Sequence, residues 1–320
     1  MSDSQSPPRV AVLVPCYNEE VAIPLVVAAF RAALPDAVIY VYDNNSTDGT
    51  MAAARAAGAV VRSETLQGKG NVIRRMFADI EADAYVLVDG DDTYDATRAP
   101  EMVRRMVEER LDMVTGVRIT AVEKQGAAYR PGHVLGNLVL TGMVRAVFGD
   151  RISDMLSGYR AFSRRFVKSF PALAEGFETE TEFTVHALEL RMPVGEVPGA
   201  YRERPPGSVS KLSTFRDGWR ILRTILGLVK RERPMAFFGA GAGVLAVLSL
   251  ALFLPVLATY LNTGLVPRVP TLIAVIGMWI VASLFMVCGL ILGTVTRGRR
   301  ELKRLAYLAV PTRGGEGRPS

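Results

Sequence analysis

The first 90 residues alternate between short apolar runs and stretches with helical periodicity. Strands are predicted at residues 10–14, 38–42, 59–61 and 84–88, and helices at residues 20–33, 50–57 and 71–80. The apolar runs are continuous rather than alternating, which is typical of strands that are buried on both faces. Strands that alternate with helices predict an α/β domain with a mostly parallel sheet covered by helices on both faces.

Two long apolar segments follow this domain. Residues 235–261 and 269–296 contain no charged side chain, and each exceeds the roughly 20 residues that cross a bilayer as a helix. A buried helix of a soluble protein is seldom so long and so evenly apolar, so the pattern predicts a hairpin of two transmembrane helices.

The segment before the hairpin, residues 215–233, interleaves large apolar residues with arginine and lysine. This pattern indicates an amphipathic helix in the membrane interface, although a helix packed on a soluble core has the same pattern. The adjoining apolar span favours the interfacial helix. The predicted organisation is therefore a cytosolic domain (1–213), a juxtamembrane helix (214–233), a transmembrane hairpin (234–296) and a basic cytosolic tail (297–320).

Charge predicts the orientation of the hairpin. Arg231 and Arg233 precede the first span, and the loop between the spans carries only Arg268. Five basic residues follow the second span: Arg297, Arg299, Arg300, Lys303 and Arg304. By the positive-inside rule both ends of the hairpin are cytoplasmic. Residues 1–9 lack the features of a signal peptide. We therefore expect a multi-pass protein of the inner (plasma) membrane with both termini in the cytoplasm.

Two glycines in the first span, Gly239 and Gly243, form a small-xxx-small pattern. Such a pattern packs transmembrane helices closely. It fits either the contact between the two helices of the hairpin or the assembly of a homo-oligomer.

Composition narrows the functional classes. The 320 residues are 49% hydrophobic and carry a net charge of +6. Because the basic residues crowd the edges of the apolar segments, the charge indicates anionic lipid head groups as partners and not nucleic acid. Cys16 and Cys288 lie far apart in different contexts, which argues against a disulfide, and no Cys/His cluster has zinc spacing.

Carboxylates follow two of the predicted strands. Asp89, Asp91 and Asp92 follow the fourth strand, where clustered carboxylates suit Mg²⁺ or Mn²⁺ bridged to phosphates. The alternative is an Asp-Gly turn with a helix cap. Asp43 ends the second strand, where a carboxylate can accept hydrogen bonds from a base or a ribose. Ligands of parallel sheets bind beyond these strand ends.

A glycine-rich turn, Gly68-Lys69-Gly70, precedes a helix. Glycines allow the backbone to approach a phosphate, and the lysine and the helix start favour its negative charge. The P-loop motif is absent, as is the Gly-x-Gly-x-x-Gly of dinucleotide oxidoreductases in the first strand–helix turn. Lys69 is thus a candidate nucleotide-binding residue.

These features together resemble a known family. The matching strings are Val14-Pro15-Cys16-Tyr17-Asn18-Glu19-Glu20, Asp43 with Ser46-Thr47-Asp48-Gly49-Thr50, Gly68-Lys69-Gly70, and Asp89 with Asp91. In this order and spacing the chain resembles the GT-A glycosyltransferases of family two, which implies a Rossmann-like fold. Residues 157–164 and 207–212 are similar to the Gly-aromatic-Arg strand and the Ser-Lys loop of the polyprenyl- and dolichyl-phosphate sugar synthases.

The resemblance implies a role for individual residues. The nucleotide pocket would be lined by Pro15, Tyr17, Glu19 and Asp43. Asp89 and Asp91 would hold the diphosphate through Mg²⁺ or Mn²⁺, and Lys211, with Arg204, would meet it from the other side. Arg118 and Arg130, with His133 nearby, would receive the phosphate of a polyprenyl lipid. The sequence departs from the family pattern at Asn44, at Asn45 and at Thr93, where many relatives have a glutamine that helps to bind the metal.

The implied reaction needs no strong base. A lipid phosphate has a second pKa near 6, so its oxygen is largely ionised and can attack the anomeric carbon in line, with inversion. The enzyme would position the acceptor and stabilise the departing diphosphate with metal and Lys211. Asp154, Glu178 and Glu180 are candidates for orienting sugar hydroxyls. His186 lies in a predicted helix and is expected to be packed.

Two rival functions stay open on the sequence. A processive polysaccharide synthase would share the core but usually carries Gln-x-x-Arg-Trp and more spans. The nearest fragment here, Asp217-Gly218-Trp219-Arg220, has the wrong order. A non-catalytic, membrane-tethered nucleotide-sugar binder would have no need of the Asp-x-Asp clamp. The sequence does not distinguish UDP- from GDP-linked hexoses.

Overall fold

The computed structural model of the chain describes residues 7–119, 153–173, 179–202, 227, 230 and 233–311. The chain divides into two compact units. The first comprises Met1–Thr214 together with Lys303–Ser320, and the second comprises Phe215–Leu302.

A seven-stranded sheet forms the centre of the first unit. Its strands are β1 (Val10–Cys16), β2 (Val38–Asp43), β3 (Val60–Ser63), β4 (Ala84–Leu87), β5 (Met113–Ile119), β6 (Arg160–Ser163) and β7 (Val194–Ala200). The helices of the same unit are α1 (Ile23–Ala33), α2 (Thr50–Ala56), α3 (Lys69–Asp79), α4 (Ala99–Glu108), α5 (Arg164–Ser169) and α6 (Thr179–Glu189). The strand order is β3-β2-β1-β4-β6-β5-β7.

The sheet is parallel over its first half and mixed over its second. β1 pairs in parallel with β2 and β4, and β2 pairs in parallel with β3. β6 runs antiparallel to both β4 and β5, whereas β5 and β7 are parallel to each other. Because the register sets Leu87 opposite Arg160, the start of β6 lies at the same edge of the sheet as the end of β4.

Both faces of the sheet are buried, as the continuous apolar runs predict. Along β1, Val12 and Val14 belong to one core cluster, while Ala11 and Leu13 belong to the other. α1, with its buried Val26, Val27 and Phe30, covers the first face. α3 covers the second. The predicted α/β architecture is therefore confirmed, and β1 to β4 and α1 to α3 lie within a few residues of their predicted positions.

The second unit contains two long apolar helices, α7 (Pro234–Thr263) and the greater part of α8 (Val269–Ala309). Only 11% and 17% of their most apolar windows are buried, so they are not core helices of a soluble domain. α7 is capped at its C-terminus by Gly264, whose φ of +67° gives the left-handed cap that a residue without Cβ adopts at little cost. Length and apolarity allow each helix to cross a membrane.

Small buried residues repeat every seven positions along both helices. They are Ala242, Ser249 and Val256 in α7, and Val275, Ala282, Gly289 and Thr296 in α8. This is the period of two helices that pack along their length. The Ser249 hydroxyl donates to the Val275 carbonyl (3.2 Å), and the Phe238 and Phe285 rings pack edge to face.

The predicted small-xxx-small pair does not line this contact. A Cβ atom at Gly239 or Gly243 would meet no described heavy atom within 4 Å, whereas one at Gly241 would lie 2.8 Å from the Phe285 ring. The homo-oligomer reading of Gly239 and Gly243 stays a prediction.

The predicted end of the second span can be compared with the structure, whereas most of the predicted juxtamembrane helix cannot. α8 continues past the uncharged span to Ala309, and its residues from Lys303 onward belong to the first unit. Most of the predicted juxtamembrane helix (214–233) lies outside the described residues. Gly227 and Lys230, which are described, are helical.

Candidate active site

The loops that follow β1 and β2 are bound to each other at the carboxyl edge of the sheet. The Asn18 amide donates to Ser46 Oγ (2.8 Å), and the Thr47 amide donates to Asn18 Oδ1 (2.8 Å). The Glu19 amide donates to Thr50 Oγ1 (2.9 Å). The Ser-Thr-Asp-Gly-Thr string therefore fixes the position of the Tyr-Asn-Glu string.

Three predicted nucleotide-pocket residues lie at this first strand end. Pro15 and Glu19 are buried, whereas the Tyr17 side chain is 37% exposed. The Glu19 carbonyl accepts from the Ile23 amide (2.9 Å) and so helps to start α1. The Tyr17 ring is thus partly accessible to solvent at the edge of the sheet.

Asp43 ends β2 with its side chain almost completely buried, at 3% exposure. Its Oδ2 accepts from the Ser46 amide (3.0 Å). Its Oδ1 is buried and has no hydrogen-bond partner in the described part of the chain. A buried acceptor without a donor is costly, so this atom is suited to accept a hydrogen bond from a ligand.

Asn44 has a structural role that the sequence did not indicate. Its Nδ2 donates to the carbonyls of Glu64 (3.0 Å) and Leu66 (2.8 Å), and its Oδ1 accepts from the Gly68 amide (2.7 Å). An asparagine can make all three bonds because it carries both donors and an acceptor. Asn44 thereby places the start of α3 beside the end of β2, a role that an aspartate could not fill.

Three residues with positive φ mark the ends of the parallel strands. They are Asn18 (53°), Asn45 (64°) and Asp92 (56°), which follow β1, β2 and β4 respectively. Asparagine and aspartate adopt this conformation more readily than other side chains. Residues with positive φ persist only where the surrounding structure holds them in that conformation. Such residues are common at ligand-binding sites.

Lys69, the first residue of α3, carries its ammonium group between two carboxylates. Its Nζ lies 2.5 Å from Asp89 Oδ1 and also pairs with Glu180 Oε1. Burial alone would lower the pKa of Lys69, but the two carboxylates outweigh it and raise the pKa above its usual value. The lysine therefore stays charged and links α3, the end of β4 and the start of α6.

Glu180, one of the two predicted sugar-orienting residues that the structure describes, pairs with Lys69. It is buried, at 4% exposure, and its Oε2 has no partner in the described residues. Burial raises its pKa, although the charge of Lys69 acts in the opposite direction.

Asp91 is held by the residue that departs from the family pattern. Thr93 is buried and its hydroxyl donates to Asp91 Oδ1 (2.7 Å), with its amide at 3.3 Å from the same atom. Thr93 thus orients the carboxylate.

Asp89 and Asp91 fit a divalent metal bound together with a diphosphate. In the described ranges no group of three or more His, Cys, Asp or Glu side chains gathers as a complete protein cage. Mg²⁺ is usually held by one or two carboxylates together with substrate phosphates, and this aspartate pair offers that donor set.

Two glycines allow the chain to pass closely by this site. A Cβ at Gly90 would lie 2.6 Å from Cys16 Sγ, and a Cβ at Gly158 would lie 2.5 Å from Asp89 Oδ2. Real Cβ atoms do not approach so closely. The glycine of the Gly-Tyr-Arg string therefore lets the backbone before β6 lie directly against the Asp89 carboxylate.

Arg160, in the same string, is completely buried and serves the scaffold. Its guanidinium donates to the carbonyls of Met155 (2.7 Å) and Ser157 (3.0 Å) and to Thr184 Oγ1 (2.9 Å). Burial lowers its pKa to about 10. Arg160 thereby ties the segment before β6 to α6.

Arg118, near the end of β5, is the described member of the predicted acceptor site. Its Nε and Nη2 each donate to Asp154 (2.8 Å), and its guanidinium lies over the Tyr201 ring. Burial raises the pKa of Asp154, but the bonds from Arg118 outweigh it, so the net shift is downward. The sugar-orienting candidate Asp154 thus fixes the direction of Arg118.

The remaining candidates fall into two groups. Five candidates lie outside the described residues: Lys211, Arg204, Arg130, His133 and Glu178. His186 is packed, as expected: it is buried and lies edge to face against Phe166 and Phe170, and its Nε2 lies 3.2 Å from Ser169 Oγ. Burial lowers its pKa to about 3, so it is neutral at physiological pH.

Comparison with known proteins gives a family and several relatives. The model of "Glycosyl transferase family 2" matches residues 11–170. The glycosyltransferase AglJ of Haloferax volcanii is 31% identical over 304 residues, which are 95% of this chain and 99% of that protein. The polyprenol monophosphomannose synthase of Mycolicibacterium smegmatis is 31% identical over 64% of this chain and 81% of the relative.

A solved structure shares the fold. Glucosyl-3-phosphoglycerate synthase from Mycobacterium tuberculosis, in complex with Mn²⁺ and UDP-glucose, superposes with a TM-score of 0.56 at 22% identity. The match covers 70% of this chain and 78% of that one. At this identity the likeness establishes the GT-A fold alone.

Proposed function

We propose that this chain, which belongs to glycosyl transferase family 2, transfers a hexose from a UDP- or GDP-linked nucleotide-sugar to a polyprenyl phosphate such as undecaprenyl phosphate. The transfer would take place at the cytoplasmic face of the inner membrane and would invert the anomeric centre. The product would be a polyprenyl-phosphate sugar.

The observation that carries the proposal is the Asp43 carboxylate at the edge that also bears Asp89 and Asp91. Its buried Oδ1 lacks a donor in the described residues, and a ribose hydroxyl or a base N–H would supply one. The nearby aspartate pair suits a metal-bound diphosphate. One sheet edge therefore offers a position for the nucleoside, at Asp43, and another for the diphosphate, at Asp89 and Asp91.

The acceptor half of the proposal is supported by two features. A relative that shares 31% identity is named a polyprenol monophosphomannose synthase, and the chain has two helices able to cross a membrane. Arg118 is a fixed cation: Asp154 occupies Nε and Nη2, and a guanidinium has further N–H donors for a phosphate. Arg130 and His133 are proposed to complete this acceptor site.

The reaction is a displacement at the anomeric carbon. An ionised oxygen of the lipid phosphate forms the new C–O bond as the bond to the diphosphate breaks, and the nucleoside diphosphate leaves with the electron pair. Because this oxygen is already ionised, no side chain has to remove a proton. Asp89 and Asp91 would hold Mg²⁺ or Mn²⁺, which neutralises charge on the leaving diphosphate when bound. Lys211 is proposed to add a second positive charge there, and Lys69 keeps Asp89 in place.

The test is a transfer assay with the purified full-length protein, undecaprenyl phosphate, Mg²⁺ or Mn²⁺ and radiolabelled UDP- and GDP-sugars. We expect one labelled lipid product, which disappears in the presence of a chelator. Asp91→Asn should lower the rate by at least about a hundredfold, because it removes a carboxylate that would hold the metal against the diphosphate.

The matched control is Asp36→Asn. It removes the same charge from an exposed position of the first unit outside the candidate site. We expect its rate to stay within about threefold of the wild-type rate. A labelled polymer would instead indicate a processive synthase. Nucleotide-sugar binding without any turnover would indicate a non-catalytic binder.

A further inference from the structure

The second unit contains a pocket of about 350 Å³ whose wall combines apolar and cationic side chains. Its lining residues are Gly227, Lys230, Leu292, Val295, Thr296 and Arg299. A volume of this size is at the lower end of those that take small ligands. None of the predicted site residues that the structure describes lies in this wall.

The spacing of the lining residues explains how the pocket forms. Leu292, Val295, Thr296 and Arg299 stand three, four and seven positions apart, which places them on one face of α8. Gly227 and Lys230, which are both helical, line the pocket as well.

The wall changes from apolar to charged along the axis of α8. From Leu292 to Arg299 the helix rises about 10 Å. The uncharged span ends at Thr296, so the pocket crosses the boundary between the span and its basic flank. Two cations, Lys230 and Arg299, stand in the wall, and none of the six lining residues that the structure describes is acidic. The Lys230 ammonium also lies 5.9 Å from the centre of the Phe238 ring.

We propose that this pocket binds the phosphate of a membrane lipid, with Lys230 and Arg299 at the phosphate and Leu292 and Val295 against the first carbons of the chain. The two charges match an anionic head group, and the apolar part of the wall matches the chain that a soluble anion lacks. Two lipids offer this chemistry: an anionic phospholipid of the bilayer and a polyprenyl phosphate. The inference concerns binding alone and stands whether or not the chain transfers a sugar.

The test is native mass spectrometry of the delipidated full-length protein, titrated separately with phosphatidylglycerol, undecaprenyl phosphate and phosphatidylcholine. We expect one tight site for the anionic lipids and none for phosphatidylcholine. Lys230→Gln and Arg299→Gln should each weaken that site about fivefold, since a basic side chain near a membrane surface contributes about this much to anionic lipid binding.

The matched control is Arg297→Gln. It removes the same charge from an exposed position two residues from Arg299 and outside the pocket wall. Equal weakening by Arg297→Gln would overturn the proposal, because the basic flank would then act only as a diffuse charge. No tight site for either anionic lipid in the wild-type protein would overturn it as well.

A second variant tests the apolar wall without a change of charge. Val295→Phe should weaken both lipids severalfold while thermal unfolding stays close to wild type, because the side chain is 56% exposed. Displacement of the bound lipid by millimolar inorganic phosphate would contradict a lipid site. If the pocket variants bind both anionic lipids more weakly, the pocket accepts either lipid. A loss confined to undecaprenyl phosphate would identify the pocket as a site for that lipid.

Discussion

At the residue scale, Gly158 lies directly against the Asp89 carboxylate of the candidate site. A Cβ at position 158 would lie 2.5 Å from Asp89 Oδ2, so Gly158→Ala must displace that carboxylate. Because Asp89 is the end of a flexible side chain, the fold should survive while the proposed metal ligand moves. We expect kcat/KM for transfer to fall at least about tenfold, since a misplacement of a catalytic group by about 1 Å can lower the rate far more. We also expect the metal concentration that gives half the maximal rate to rise.

Gly199→Ala provides the control for this substitution. Among the described atoms, the Cβ that it adds to this β7 residue meets only Arg98 Cγ, at 3.4 Å, which is an ordinary contact. We expect its rate and its metal dependence to match wild type. A Gly158→Ala protein that melts like wild type and transfers at the wild-type rate would show that the position of Asp89 does not matter.

Most site carboxylates could be predicted from the sequence, but their partners could not. Asp43, Asp89 and Asp91 each follow a recognisable apolar strand, and strand ends of a parallel sheet converge. The roles of Asn44, Thr93 and Arg160 depend on side-chain hydrogen bonds that form only in the folded chain. No local pattern marks Arg160 as the residue that ties the segment before β6 to α6.

At the scale of elements, the first four strands and three helices could be predicted because each has a strong apolar run or helical period. Periodicity does not predict the second half of the sheet, although the family resemblance indicates a strand within residues 157–164, where β6 lies. β6 has only four residues, and its antiparallel place between β4 and β5 is decided by tertiary pairing, which leaves no periodic signal. The expectation of a mostly parallel sheet holds because the remaining strand pairs are parallel.

The last turns of α8 show the same limit of sequence patterns. Lys303 appears in the sequence as one of several basic residues after a membrane span. In the structure its Nζ pairs with the buried Glu189 carboxylate (2.7 Å), and one turn later the Tyr307 hydroxyl donates to Asp112 Oδ2 (2.7 Å). The Arg165 guanidinium lies 4.7 Å from the centre of the Tyr307 ring. These turns are therefore an integral part of the first unit.

Tyr307→Phe tests whether these turns stabilise the first unit. The substitution removes the hydroxyl and leaves the buried Asp112 Oδ2 without this donor, which should cost about 1–3 kcal/mol. For a domain of about 200 residues each kcal/mol lowers the Tm by about 2–4 °C. Thermal unfolding in one detergent measures the change. Tyr260→Phe makes the same change at a half-exposed side chain of α7 and should leave the Tm unchanged. Equal Tm values for all three proteins would contradict the role of Tyr307.

At the scale of the whole molecule, the distribution of charge around the hairpin sets the proposed topology. The uncharged spans are flanked on one side by the basic residues after Thr296 and by Arg233, whereas the short connection carries only Arg268. Translocating many lysine and arginine side chains is disfavoured, so the richer side is expected to stay in the cytoplasm. The same side would then hold the first unit, which carries the candidate site.

Cysteine labelling tests this topology. In a Cys288→Ser background, Leu265→Cys places a thiol in the exposed connection after α7, and Asp36→Cys places one on the exposed surface of the first unit. A membrane-impermeant maleimide should label the first protein only from outside intact spheroplasts and the second only in inverted vesicles. The Cys288→Ser protein without an added cysteine is the blank, because the native Cys16 is buried. Labelling of both thiols from the same side would contradict a hairpin. In a hairpin, one membrane span separates the connection from each flank, so the two thiols must lie on opposite sides. Labelling of each from the opposite side to that expected would instead show that the hairpin is inserted against its charge, and the proposed cytoplasmic reaction would fail with it.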